Sequence, residues 1–179
     1  MYSGLRLRNP ALGMLWLLGC ATGYRVSDML ALRVSDARTD TIAITEAKTG
    51  KLRVVLLPQH ITNTIKRYVK ARPIGEDDYL FASQLGGKPI TRQYAHGAIK
   101  EVGVSIGLDN LGTHSMRKTY AYNLLRGSRS VATVQEALNH AYMSTTYDYV
   151  ADGLMAHLPK PAKDSIPVAT KAAVNCTVE

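Results

Sequence analysis

At 179 residues the chain is long enough to bury a core of its own as one domain, and its two cysteines exclude a disulfide framework and fit a reducing compartment. The 22 Lys and Arg against 14 Asp and Glu give a formal charge of +8 and favour a polyanionic partner. That charge is uneven: residues 1–53 carry +4, residues 54–130 carry +6 and the remainder carries −2, so the basic face belongs to the body and not to the C-terminal stretch.

Arg6 and Arg8 followed by the apolar run Ala11 to Cys20 imitate a short signal peptide with a lipoprotein-type cleavage site. The run is too short to cross a bilayer, and it leads straight into the segment around Arg25. We therefore read it as a buried helix of a cytoplasmic, nucleoid-associated protein with no membrane partner. Asn9 is a good N-cap and Pro10 a good first helical residue, so this helix starts there and ends near Gly23. A second helix is expected over residues 25–32, with Val26, Met29, Leu30 and Leu32 facing inward. Residues 41–45 and 52–57 are rich in β-branched and apolar side chains and read as two strands. The polar turn Lys48, Thr49, Gly50, Lys51 joins them into an antiparallel hairpin.

Pro58 closes the second strand, and Ile61, Ile65, Tyr68 and Val69 recur at helical spacing up to Pro73. A short strand, Tyr79 to Phe81, is expected between the loops around residues 76–78 and 84–89. Thr91 caps a helix running to about Gly103. Two more helices, His114 to Leu125 and Val131 to Asn139, are expected to be broken by Gly127 and Ser128, and a short helix carries Tyr149. Residues 160–179 show no periodicity and read as a flexible tail or a partner-ordered arm. The sum is a mostly helical α+β domain with a small antiparallel hairpin sheet.

Cutting a phosphodiester takes a nucleophile, positive charge on the non-bridging oxygens and a proton for the leaving oxygen. No metal-ligand cluster is evident in the sequence and no cofactor is implied, so side chains must supply all three. Arg25 and Arg117 suit a phosphate through the guanidinium fork. His114 and Arg117, three apart on one helix, share a face and can meet the same phosphate. The competing reading of Arg25 is an ion pair with Asp28 one turn on.

Arg25, Lys48, His114, Arg117, His140 and Tyr149 stand in one order along the chain, within the segments Thr22-Gly23-Tyr24-Arg25, Lys48-Thr49-Gly50-Lys51, His114-Ser115-Met116-Arg117-Lys118 and Leu138-Asn139-His140. This ordered set resembles the tyrosine recombinase (phage integrase) family, over about residues 10–152. The resemblance implies the catalytic-domain fold of that family and a site-specific recombinase of a mobile genetic element that cuts and rejoins DNA through a 3′-phosphotyrosyl link. It makes Tyr149, nine residues after His140, the nucleophile, with Tyr147 and Tyr142 as competitors. It assigns Lys48 the role of general acid and gives His114 and His140 hydrogen-bonding or proton-transfer roles; Lys51, three residues on, is the competing general acid and is read here as a phosphate contact. Asn139 stands where the family usually has glycine, and asparagine tolerates the left-handed backbone.

The implied partners are double-stranded DNA, a homo-tetramer on paired sites and accessory DNA-bending proteins. The alternatives are a type IB topoisomerase-like enzyme, which shares the tyrosine chemistry, and a non-catalytic DNA-binding relative. We expect residues 1–159 to form the catalytic domain and residues 160–179 a tail exchanged with a neighbouring protomer, with Leu154, Met155 and Leu158 as its docking set. The family's separate N-terminal clamp domain, and the helix that opens its catalytic domain, are not expected in the nine residues before Pro10. The chain then reads as a fragment or as a compact member like the inverting recombinases of fimbrial phase variation.

Overall fold

In a computed structural model the described residues are 1–84, 87–128 and 130–150, the side chains of residues 128 and 147–150 excepted. The expected tail at residues 160–179 and the docking set Leu154, Met155 and Leu158 lie outside them.

Contrary to the expectation for the nine residues before Pro10, the chain opens with a short helix, α1 (Tyr2–Arg8). Its one buried side chain, Leu5, is too little for a periodic signal, and burial of Leu5 against the next helix is what makes the segment helical. α2 (Pro10–Thr22) begins as expected: the Asn9 side chain accepts from the Ala11 N–H at 2.9 Å, and Pro10 opens the first turn. It is apolar on nearly every face, and Ala11, Leu12, Met14, Leu15 and Leu18 lie at the centre of the main core. Its end is fixed by Gly23, left-handed at φ 64°, whose N–H returns to the Gly19 carbonyl.

α3 (Val26–Leu30) is shorter than expected. Arg25 sits in extended conformation at the N-cap, outside the helix that was predicted to carry it, because the left-handed turn at Gly23 must be followed by extended chain before helix can restart. After a 3₁₀ turn, β1 (Thr41–Thr45) and β2 (Leu52–Leu56) form the hairpin, antiparallel with Thr41 opposite Leu56 and Thr45 opposite Leu52. Ile42, Ile44, Arg53 and Val55 point inward, whereas Leu52, Val54 and Leu56 face solvent.

α4 (Gln59–Lys70) buries Ile61, Ile65 and Tyr68 as its spacing requires. The strand expected at Tyr79 to Phe81 is not formed. Only isolated bridges occur, Arg33 with Tyr79 and Ala82 with Pro89, although Leu80 and Phe81 are fully buried. Backbone hydrogen bonds join this stretch to the chain around Leu32 and Val34, but that chain turns at once into the 3₁₀ segment and the pairing stops at a single bridge.

Thr91 caps α5 (Arg92–Ser105) by accepting from the Tyr94 N–H at 3.1 Å. α6 (Thr113–Ser128) runs through Gly127, which does not break it. It crosses α2 closely: a Cβ at Gly19 would come within 2.6 Å of the Met116 sulfur. α7 (Val131–Ala137), capped by Ser130, stops short of Asn139, and α8 (Met143–Val150) ends the described chain. Tyr120, Leu124 and Leu125 of α6 and Val134 and Leu138 around α7 form a second, smaller core. Three segments, the α2–α3 junction, the hairpin turn and the α7–α8 connection, thereby meet beside the first half of α6.

Candidate active site

Arg25 projects from the N-cap of α3 towards the end of β1. There its Nη1 lies 2.8 Å from Oε2 of Glu46, a carboxylate with no exposed surface. This contact replaces the ion pair with Asp28 that the sequence allowed. Asp28 instead accepts the Ala47 N–H through Oδ1 at 3.3 Å, fixing the chain just past Glu46. Arg117, 3% exposed, comes from the opposite side on α6. Its Nη1 donates to the Gly23 carbonyl at 2.7 Å and its Nη2 to the Leu138 carbonyl at 2.6 Å, while Nη1 also stands 3.6 Å from Glu46 Oε1. The two arginines therefore converge on one acidic group from separate segments of the chain, the arrangement that a shared phosphate requires.

Burial alone would raise the Glu46 pKa; the hydrogen-bonding and charge of Arg25, with help from Thr49 and Arg117, outweigh it and hold the carboxyl below its usual range. Glu46 is thus an anion at neutral pH.

Lys48 lies in the exposed hairpin turn. The turn is closed on Glu46, whose carbonyl accepts the N–H groups of Thr49 and Gly50 at 3.2 and 2.8 Å, with Gly50 left-handed at φ 66°. Lys51 pairs through its backbone carbonyl with the Glu46 N–H. His114 occupies the first turn of α6, one turn before Arg117. Partial burial and then the charges of Arg92, Arg117, Arg25 and Lys118 lower its pKa, which favours the neutral imidazole and places it within the field of both arginines.

His140 follows α7 rather than ending it, because Asn139 takes the left-handed conformation (φ 51°) in the position where tolerance of that geometry was expected. Its Nδ1 lies 3.0 Å from Oγ1 of Thr146, a fully buried residue of α8. Burial foremost, then the charges of Arg117 and Arg25, push the His140 pKa down to about 4. Tyr149 and Tyr147 are on α8, and their side chains lie outside the described residues. The helix bearing them is docked to the site through the Thr146–His140 contact. Tyr142 precedes α8 and is 52% exposed.

The fold therefore gathers Arg25, His114, Arg117 and His140 around one centre, with the Lys48 turn and α8 at its borders. Residues 5–153 match the model of the phage integrase family, over four-fifths of the chain. The chain belongs to this family. A probable integrase/recombinase YoeC of Bacillus subtilis (strain 168) is 35% identical over 137 residues, covering 76% of this chain and 75% of that relative. The tyrosine recombinase XerD of Corynebacterium glutamicum is also 35% identical, over 72% of this chain but only 44% of its own length.

Among solved structures, the recombinase XerH in a post-cleavage complex with a palindromic difH substrate aligns with a TM-score of 0.64 at 27% identity, over 84% of this chain and 44% of that one. The XerA recombinase aligns with a TM-score of 0.68 at 22% identity, over 82% and 55% of the two chains. The fold is that of the tyrosine recombinase catalytic domain, as expected. This family member spans about half, or less, of these Xer proteins.

Sequence reasoning missed three residues of the site. Glu46, next to a polar turn, has the appearance of a solvated strand end. Thr146 carries no signal of its own. Arg53, inward on β2, donates to the Thr22 carbonyl and lies over the rings of Tyr24 and Tyr120 at 4.5 and 5.4 Å, bracing the α2–α3 junction beside Arg25. The period-two alternation of β2 was the only hint that this arginine faces inward. Among the described residues no group of His, Cys, Asp and Glu is placed to hold a metal ion, and no helix is long and apolar enough to cross a membrane.

Proposed function

We propose that the chain is a site-specific DNA recombinase that cuts and rejoins double-stranded DNA through a 3′-phosphotyrosyl intermediate. The observation that carries this reading is the convergence of Arg25 and Arg117 beside His114 and His140, in a domain whose relatives are named integrases and recombinases. In the proposed step the Tyr149 oxygen attacks phosphorus, the new 3′-phosphotyrosyl bond forms, and the bond from phosphorus to the 5′-oxygen breaks. His114, favoured neutral, takes the phenolic proton, and Lys48 gives one to the leaving 5′-oxygen. Arg25 and Arg117 neutralise the non-bridging oxygens, with His140 donating a further hydrogen bond. The energy of the broken ester is kept in the phosphotyrosyl bond, so rejoining by a 5′-hydroxyl needs no nucleotide cofactor.

The working form we propose is a homo-tetramer on two paired DNA sites, aided by DNA-bending proteins. Residues 1–159 would act as the catalytic domain and residues 160–179 as the element exchanged between protomers. The test is a nicked suicide duplex built from DNA flanking the gene, incubated with protein and then denatured. A covalent protein–DNA adduct formed by the wild type and lost in Tyr149→Phe is the expected result. An adduct that survives Tyr149→Phe moves the nucleophile to Tyr147 or Tyr142, and DNA binding without any adduct refutes the catalytic reading.

A further inference from the structure

Glu46 has no place in the chemistry just described, yet it contacts both arginines and the turns that carry Lys48 and His140. Oε2 is 2.8 Å from Arg25, and it accepts from Thr49 Oγ1 at 3.0 Å and from Asn139 Nδ2 at 3.4 Å. Oε1 faces Arg117 at 3.6 Å. Its backbone carbonyl holds the N–H groups of Thr49 and Gly50. Thr49 is the chain neighbour of Lys48, and Asn139 that of His140. One buried side chain thus contacts two of the catalytic candidates directly and the adjoining residues of two more.

We propose that Glu46 is the positioning residue of the active site, the carboxylate that sets the Arg25 and Arg117 guanidinium groups, the Lys48 turn and the Asn139–His140 turn in register before DNA arrives. The proposal rests on the recombinase reading above.

Three physical arguments support it. First, two arginines brought close in a buried site repel each other unless an anion lies between them, and Glu46 is the anion that the described residues supply in the absence of DNA. Second, the contacts are incomplete in a telling way. Nη1 of Arg25 and Oε1 of Glu46 are buried without an aligned hydrogen-bond partner among the described residues. The 2.8 Å contact of Nη1 with Oε2 is therefore a close ion pair of imperfect alignment, which orients Arg25 by charge without fixing it in one geometry. Third, the carboxylate links elements distant in sequence: Glu46 and Asn139 are 93 positions apart. Charge neutralisation for folding alone would be met by either arginine and does not require the contacts to Thr49 and Asn139.

A positioning role and a purely structural one differ in what they change. Misplacing reacting groups by about an ångström costs roughly 10²-fold in rate without preventing binding. The measurement is single-turnover adduct formation on the suicide duplex at saturating DNA, separating the rate constant from the amplitude, with DNA affinity measured alongside. Glu46→Gln keeps the shape and an acceptor for Thr49 and Asn139 but removes the charge. We expect its rate constant to fall about 10- to 100-fold, with amplitude retained and DNA affinity unchanged or tighter. Thr49→Ala, an exposed change that leaves Lys48 and the fold in place, should lower the rate constant several-fold by freeing one contact of the carboxylate. Rate constants within threefold of wild type in both variants would overturn the proposal, as would a loss confined to amplitude or affinity. Absence of an adduct in the wild type would refute the recombinase reading itself, so the two failures are distinct.

Discussion

Replacing Gly23 with alanine tests whether the α2–α3 junction is a rigid support for the site. The residue is left-handed at φ 64°, which for alanine costs roughly 1–2 kcal/mol. A Cβ there would also lie 2.4 Å from Cδ1 and 2.8 Å from Cγ of Tyr120, in a small core that has little room to yield. Overpacking of this kind adds about 1–3 kcal/mol. The total, about 2–5 kcal/mol, is a large part of the roughly 5–15 kcal/mol that holds a domain of this size together.

Gly50→Ala is the control, since Gly50 has nearly the same φ, 66°, but a Cβ there would have nothing within 4 Å; it should cost roughly 1–2 kcal/mol only. Urea unfolding followed by the fluorescence of Trp16 reads both. With a slope of about 2 kcal/mol per molar, Gly23→Ala should lower the midpoint by about 1–2.5 M and Gly50→Ala by about 0.5–1 M. The same Gly23 variant should slow DNA cleavage, because the Gly23 carbonyl is an acceptor for Arg117. Equal midpoints for the two variants would show that Tyr120 moves aside, and the argument for a rigid junction would fail.

Two further outcomes follow from the same geometry. The Tyr24 hydroxyl lies 2.9 and 2.8 Å from the carbonyl oxygens of Ile42 and Arg53, so Tyr24→Phe leaves a buried strand carbonyl without its donor, at about 1–2 kcal/mol. The melting temperature should drop by about 3–8 °C, and an unchanged value would count against the anchor. His140 is held neutral by burial and by Arg117, Arg25 and Arg53, with Glu46 opposing them. Its imidazole takes up a proton near 6.5 when unfolded but only at about 4 when folded. The stability it contributes is therefore complete above pH 6.5 and is lost as the pH falls from there through 4. Unfolding free energies at pH 7 and pH 5 should differ more in the wild type than in His140→Gln, and equal differences would refute the assignment.

The parts of this protein that were legible in its sequence are those with local signals. The Asn9–Pro10 cap, the period-two alternation of the hairpin and the helical spacing of Ile61, Ile65 and Tyr68 each encode their element within a few residues. The order of Arg25, Lys48, His114, Arg117, His140 and Tyr149 pointed to the family, and four of these residues surround one centre. What escaped depends on contacts between distant segments. α1 is helical because Leu5 packs on α2, and the stretch at Tyr79 to Phe81 lacks a strand partner although its own residues favour one. Glu46 has the identity and neighbours of a surface residue, and only the arrival of Arg25 and Arg117 from other elements makes burying it tolerable.

The phenol of Tyr24 bridges both strands of a sheet that has no third strand among the described residues, and the next residue in the chain is Arg25. The hairpin is consequently mounted on the same short segment as the arginine. A shift of that segment would carry Arg25 and the Lys48 turn together, while Arg117, on α6, stayed behind. Substitutions in the helices around the junction would therefore be felt first as a change in the spacing of the two arginines.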